Sequence, residues 1–225
     1  MPNWKPWTRE ELAVRVARDI PEGWSVNLGI GISTLIGNYI PPGREVILHS
    51  ENGIVGMGPA PSPEKLNPWL VNASRQHVTL VTGASYMNHA DSFGMVRGGH
   101  LDLCVLGGFQ VAENGDLANW SRSENDRAPA IGGAMDLAVG AKRIWVVMEH
   151  TTKGGEKRIL KRCTYPLTAK NCVKRVYTDL AVIDVTEGGF VVIDKIPGIS
   201  LDQLEELGDA GLRSETGVAG RDGLR

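Results

Sequence analysis

Cysteine is scarce in this chain: Cys104, Cys163 and Cys172 are the only three among 225 residues. No two of them stand at Cys-x-x-Cys spacing, and their number is odd. That excludes a disulfide framework and a structural zinc cluster, and it fits a reducing compartment. The five histidines are scattered and lack the spacing of metal ligands, so no metal site is expected. No apolar run approaches the roughly 20 residues that a membrane helix needs. Residues 1–9 carry Trp and Lys rather than the apolar core of a signal peptide. A cytoplasmic location is the expectation. The net charge of -2 gives neither nucleic acid nor an anionic membrane a reason to bind. Internal repeats are absent too. What remains, 42% hydrophobic and 22% charged, is ordinary for a soluble protein with room for a large α/β core.

Glycine, by contrast, is plentiful, with 28 residues. One glycine-rich stretch carries an acid: Ser50-Glu51-Asn52-Gly53, continuing through Ile54-Val55-Gly56-Met57-Gly58-Pro59. Glu51 leaves an apolar strand read over 45–49 (Val46, Ile47, Leu48) and enters a turn with few side chains. Glycine removes the side chains that would keep a ligand away, and α/β folds bind their ligands where strands end. From these residues alone, Glu51 is either a reactive carboxylate or a solvated acid in a tight loop.

Local patterns fill in the fold. Thr8 and Glu11 form a capping box that opens a helix to about residue 20, with Leu12, Val16 and Ile20 as its buried stripe. Segment 24–32 reads as a strand running into Gly29-x-Gly31, followed by a helix over about 33–39. That glycine pair is either half of a phosphate cradle or a close strand-to-helix turn. Without a third glycine and a downstream acid it is not a dinucleotide fingerprint. Residues 59–68 read as a surface loop. Short buried strands are read near 78–81 and 101–106, and a short helix over 92–97, ended by Gly98-Gly99. Segment 141–148 is another apolar strand, around Ile144-Trp145-Val146-Val147. Segments 180–185 and 190–193 flank Thr186-Glu187-Gly188-Gly189 as a hairpin, and Ser200 caps a last helix to about 207. Apolar strands alternating with helical patterns predict an α/β fold, an open and mostly parallel sheet flanked by helices. One domain is expected over 1–212, with a mobile tail over 213–225.

Four glycine-rich patches occur in order: Asn27-Leu28-Gly29-Ile30-Gly31, Ser50-Glu51-Asn52-Gly53, Arg97-Gly98-Gly99-His100 and Gly132-Gly133-Ala134-Met135-Asp136-Leu137. Three further motifs accompany them: Asp116-Leu117-Ala118-Asn119-Trp120, Met148-Glu149-His150 and Arg162-Cys163-Thr164-Tyr165-Pro166-Leu167-Thr168. The ordered set resembles the B (β) subunit of the class I 3-oxoacid CoA-transferases, over about residues 8–205. The resemblance implies that family's α/β fold and its chemistry. CoA passes between two carboxylic acids without ATP or metal; coenzyme A is a substrate, and no cofactor is expected.

In the family, the carboxylate matching Glu51 attacks an acyl-CoA thioester and gives a mixed anhydride. The released thiolate attacks the glutamyl carbonyl and leaves an enzyme thioester, and an acceptor acid reverses the sequence. This is covalent, ping-pong catalysis. A carboxylate is already ionised at neutral pH and needs no base. Its weakness as a nucleophile calls for desolvation and for donors aimed at the developing oxyanion. The resemblance assigns one such donor to the backbone N–H of Gly133. It brings the loop of Gly53, Gly56 and Gly58 close to the CoA thioester, and adds Gly29 and Gly31 to the CoA-binding set. Asn52 either orients Glu51 or serves the turn. Arg97 and His100 are read as structural, and Cys104 and Cys163 as packing residues.

The resemblance also implies a partner, an A (α) subunit, in an A2B2 heterotetramer. The Gly-Gly-Phe-Gln form of this chain looks closest to bacterial 3-oxoadipate transferases of aromatic catabolism, with succinyl-CoA as donor and acetoacetate as the next candidate acceptor. Enzymes that decarboxylate or hydrolyse acyl-CoA share the fold and form the alternative. Three departures stand out. Ser33 replaces a proline, loop 121–129 (with Arg122, Glu124, Asp126 and Arg127) replaces Ile-Pro-Gly-Lys, and Asn72-Ala73-Ser74-Arg75 replaces Asn-Ala-Gly-Lys.

Overall fold

The computed structural model describes residues 4–123, 126 and 129–214. Glu124 and Arg127 of the divergent loop, and the expected tail from 215 onward, lie outside the described residues. In chain order the elements are α1 (Arg9–Asp19), β1 (Ser25–Leu28), β2 (Ile47–Ser50), β3 (Ile54–Met57), β4 (Leu80–Tyr86), α2 (His89–Arg97), β5 (Leu103–Gly107), β6 (Gln110–Ala112), β7 (Leu117–Ala118), α3 (Ala134–Gly140), β8 (Ile144–Met148), β9 (Ile159–Leu160), β10 (Val173–Thr178), β11 (Ala181–Thr186), β12 (Gly189–Lys195), α4 (Leu201–Glu206) and β13 (Leu212–Ser214).

The start of α1 is set locally. The Thr8 N–H donates to Glu11 Oε2 at 2.7 Å and the Glu11 N–H to Thr8 Oγ1 at 3.2 Å, a reciprocal capping box. Leu12, Val16 and Ile20 are buried as their spacing predicts, each contributing about 1.5–3 kcal/mol of apolar burial.

The chain forms two compact units, neither of them a contiguous segment. One combines Ala13–Gly107 with Gly132–Ile144; the other takes the described residues of Met1–Leu12, Gly108–Ile131 and Trp145–Arg225. In the first, the strand order is β5-β1-β2-β3-β4. β1 runs parallel to both β5 and β2, and all four of its residues are buried, as a central parallel strand requires. β2, β3 and β4 then pair antiparallel. Several expectations shift here. The first strand ends at Leu28 rather than 32, and the helix after it is a 3-10 helix, Ile32–Asn38. Its Ile, Ser, Thr, Gly and Asn content favours α-helix weakly. The strand expected at 78–81 is β4, and it is not buried: Val81 is 49% exposed. β4 ends the strand order, so its Thr, Gly and Ser positions face water.

In the second unit, β10, β11 and β12 form an antiparallel meander, with β13 parallel to β12. The expected hairpin is there, closed by a Thr186↔Gly189 pair. Arg213 and Ser214, expected at the start of the tail, instead pair with Val191 and Val192. A small sheet, β7-β6-β9, and the Ser200–Gln203 capping box of α4 complete this unit. In the first unit the expected open α/β sheet flanked by helices is thus built from a parallel centre at β5-β1-β2, continued by the antiparallel strands β3 and β4. Among the described residues, no helix is long and apolar enough to cross a membrane.

Candidate active site

Parallel pairing places the site. The register sets Asn27 of β1 opposite His49 of β2 on one side and Cys104 of β5 on the other. Glu51 follows two residues after His49, in the turn closed by a Gly53 N–H bond to the Ser50 carbonyl at 2.9 Å. Asn27 Nδ2 donates to Glu51 Oε2 at 3.0 Å. The same amide nitrogen lies 3.1 Å from His49 Nδ1 and 3.3 Å from the His49 carbonyl oxygen. The Cys104 thiol donates to Asn27 Oδ1 at 3.4 Å. His49 Nε2 lies 2.9 Å from Ser92 Oγ on α2. Asn27, His49, Cys104 and Ser92 are each 0% exposed, whereas Glu51 is partly exposed. A half-open carboxylate therefore stands on a dry polar cluster. Burial lowers the His49 pKa to about 4, so the ring that shares the Asn27 amide with the carboxylate is neutral at pH 7.

The other predicted residues divide. Asn52, although adjacent in sequence, turns away from Glu51 and donates to the Val71 carbonyl at 2.8 Å, tying the turn to the following loop. Gly53 has φ +115°, and a Cβ there would sit 2.1 Å from the Met87 carbonyl oxygen. Gly56 (φ +85°) similarly presses on Ala84, and Gly58 on Thr79. These glycines admit the neighbouring strand β4 and its flanks. Gly29 packs against the Val105 carbonyl and Leu106, while Gly31 meets open space, next to an Ile30 that is 68% exposed. Gly133 opens α3, and a Cβ there would sit 2.6 Å from the Phe93 ring. Helix α2 thus connects the two predicted catalytic positions: Ser92 meets His49 beneath Glu51, and Phe93 meets Gly133. Sequence reading missed Asn27, His49 and Ser92 as site residues. For Asn27 and His49 the signal was a polar residue near the end of each of two apolar strands; Ser92, inside α2, gave none.

Hydrogen bonds also explain why the motifs occur as a set. Arg97 Nε donates to Asp136 Oδ1 at 2.8 Å and joins the third glycine patch to the fourth. In the other unit, Asn119 N–H donates to Thr168 Oγ1 at 3.1 Å, and Trp120 Nε1 to the Leu167 carbonyl at 3.2 Å. Gln110 Oε1 accepts the backbone N–H groups of Thr164 and Tyr165 at 2.8 and 3.1 Å. His100 packs under Gly98, and its carbonyl accepts the Ser25 hydroxyl. Burial pushes the Cys163 thiol up to about 12 and Cys172 to about 11, so neither is a thiolate at neutral pH.

The model of one protein family, coenzyme A transferase, matches residues 9–207. The B (β) chain of the 3-oxoadipate CoA-transferase of Acinetobacter baylyi is 52% identical over 209 residues, covering 93% of this chain and 96% of that one. Its counterpart in the succinyl-CoA:3-ketoacid coenzyme A transferase of Helicobacter pylori is 44% identical over 202 residues, 90% of this chain and 97% of that one. Among solved structures, the acyl-CoA transferase YdiF apoenzyme of Escherichia coli O157:H7 matches with TM-score 0.72 at 19% identity over 96% of this chain. The chain spans 44% of the length of that protein. The decarboxylase AibA/AibB matches with TM-score 0.67 at 18% identity, over 93% of this chain and 86% of that one. At such identities these two likenesses speak for the fold alone.

Proposed function

Because the chain belongs to the coenzyme A transferase family, we propose that it is the β subunit of an enzyme moving CoA from succinyl-CoA to a 3-oxo acid through Glu51. Relatives named for 3-oxoadipate and for 3-ketoacids support that acceptor class, 3-oxoadipate first and acetoacetate second. The single observation that carries the assignment of Glu51 is its carboxylate, half-open and held by one neutral amide. A cation at that place would quench the nucleophile; the neutral His49 does not.

One Glu51 oxygen, the one not bonded to Asn27, attacks the succinyl carbonyl and the CoA thiolate leaves. The thiolate then attacks the glutamyl carbonyl and expels succinate, which leaves a thioester on Glu51. The carboxylate of the 3-oxo acid attacks that thioester, and the thiolate completes transfer by attacking the new acyl carbonyl, freeing Glu51. Charge is conserved throughout, and no proton has to move. The Asn27 amide holds the glutamyl oxygen on which negative charge gathers in the two steps that attack the glutamyl carbonyl, and the Gly133 N–H is the second donor. Gly31, where an added Cβ would meet nothing within 4 Å, leaves room for CoA, while Gly29 lets β5 pack close and Gly53, Gly56 and Gly58 let β4 and its flanks pack against the turn that carries Glu51. Coenzyme A is a substrate here and no other cofactor takes part.

The chain works with an α subunit, as two-subunit relatives do, in an A2B2 heterotetramer of the cytoplasm. Large apolar side chains left in water support a missing partner: Trp69 is 91% exposed, Val139 73% and Tyr86 67%. The decarboxylase or hydrolase alternative has only the fold likeness behind it. Isotope exchange tests the choice. The assembled enzyme is expected to exchange labelled succinate into succinyl-CoA with no 3-oxo acid present, and Glu51→Ala to abolish it. Acyl-CoA turnover without that exchange would favour the alternative.

A further inference from the structure

An asparagine amide is nearly symmetric in shape, yet only its NH2 end can hold a carboxylate. Resting on the reading of Glu51 as acyl carrier, we infer that His49 and Ser92 are positioning residues that fix the Asn27 amide with its NH2 toward Glu51. Four groups surround that amide. Glu51 Oε2 at 3.0 Å and the His49 carbonyl at 3.3 Å are acceptors in any protonation state of the ring. The Cys104 thiol, at 3.4 Å from Oδ1, is a weak donor. The fourth, His49 Nδ1 at 3.1 Å, is an acceptor only if the ring carries its proton on Nε2. Ser92 Oγ, 2.9 Å from Nε2, is placed to accept that proton.

The opposite tautomer would set two N–H donors face to face across 3.1 Å. Turning the amide would relieve that conflict and would then press its carbonyl oxygen against the Glu51 carboxylate. Because His49 and Ser92 are both 0% exposed, no bulk water softens the choice. The titratable groups sharing the cluster are Glu51 on the turn after β2 and the Cys104 thiol on β5; β1 and α2 contribute the neutral Asn27 and Ser92. A buried histidine that merely filled space would affect folding alone. This one sets which end of an amide meets the nucleophile.

The test compares two substitutions of similar size in the enzyme assembled from this chain and its α subunit. His49→Asn keeps an acceptor near the Nδ1 position, whereas His49→Gln places its amide near Nε2 and loses that acceptor. His49→Gln is expected to lower kcat about 30-fold with the KM for succinyl-CoA nearly unchanged, and His49→Asn to stay within about threefold of wild type. Ser92→Ala is expected to lower kcat several-fold by freeing the tautomer. Equal losses in the two His49 variants, or losses that follow the melting temperature, would overturn the inference. Long-range proton–nitrogen correlation spectra of the histidine-labelled wild-type enzyme supply a readout that needs no turnover. They are expected to show His49 neutral and protonated on Nε2 at pH 7, and a proton on Nδ1 would overturn the inference. Wild-type enzyme that fails the succinate exchange would instead contradict the role of Glu51, leaving the His49 spectrum to decide this inference.

Discussion

In the proposed mechanism Glu51 is a weak nucleophile held at a fixed reach, so its length matters as much as its charge. Glu51→Asp draws the carboxylate back by one methylene from the place where Asn27 meets it at 3.0 Å. We expect kcat to fall about 100-fold with a modest change in KM, measured by steady-state kinetics on the assembled enzyme. The acid itself was legible in the sequence, because glycines and a strand end mark it. Its support was not. Asn27 lies 24 residues away and reaches Glu51 only because β1 and β2 pair in parallel at that register. Asn52, the neighbour in sequence, faces the other way. The buried histidines give a pH signature at this same scale. Burial lowers both His49 and His150 to about 4, so the unfolded chain binds more protons below its ordinary histidine pKa near 6.5. Stability is therefore full above about pH 6.5 and falls as pH drops toward 4, by on the order of 3 kcal/mol for each ring. Urea melts at pH 7.5, 6 and 5 should show that loss, with a shallower slope in His49→Asn; a flat profile would contradict it.

Elements whose ends are fixed by near neighbours were readable, and those fixed by distant ones were not. Thr8 with Glu11 announced α1 and Ser200 announced α4, because a cap and its partner lie three residues apart. Thr8→Ala should cost about 1 kcal/mol in thermal melts, and Ile20→Ala about 2–5 kcal/mol. The run around Val78-Thr79-Leu80-Val81 looks like a buried strand, yet β4 lies at the end of the strand order, which only the assembled sheet decides. β7 and β9, two residues each, are too short to show any period. The glycines read as room for a ligand turn out to differ from one another. At Gly53 an added Cβ meets the Met87 carbonyl at 2.1 Å, whereas at Gly31, also at positive φ, it meets nothing within 4 Å. Gly53→Ala should therefore destabilise by more than about 3 kcal/mol and Gly31→Ala by about 1–2 kcal/mol, as denaturant midpoints would show.

For the whole molecule, the chain carries the proposed nucleophile but leaves Trp69, Tyr86 and Val139 largely in water. We expect the purified chain to show no turnover by itself and to regain it on mixing with its α subunit, in an assembly whose mass is read by light scattering. Full activity of the isolated chain would contradict the need for a partner. The central claim is that CoA is carried, for part of each cycle, on the side chain at position 51. Peptide mass spectrometry of the assembled enzyme, quenched in acid after exposure to succinyl-CoA alone, measures this directly. The account predicts CoA attached through a thioester to the peptide bearing Glu51 and lost on hydroxylamine treatment; an enzyme that turns over normally yet leaves that peptide unmodified would contradict it.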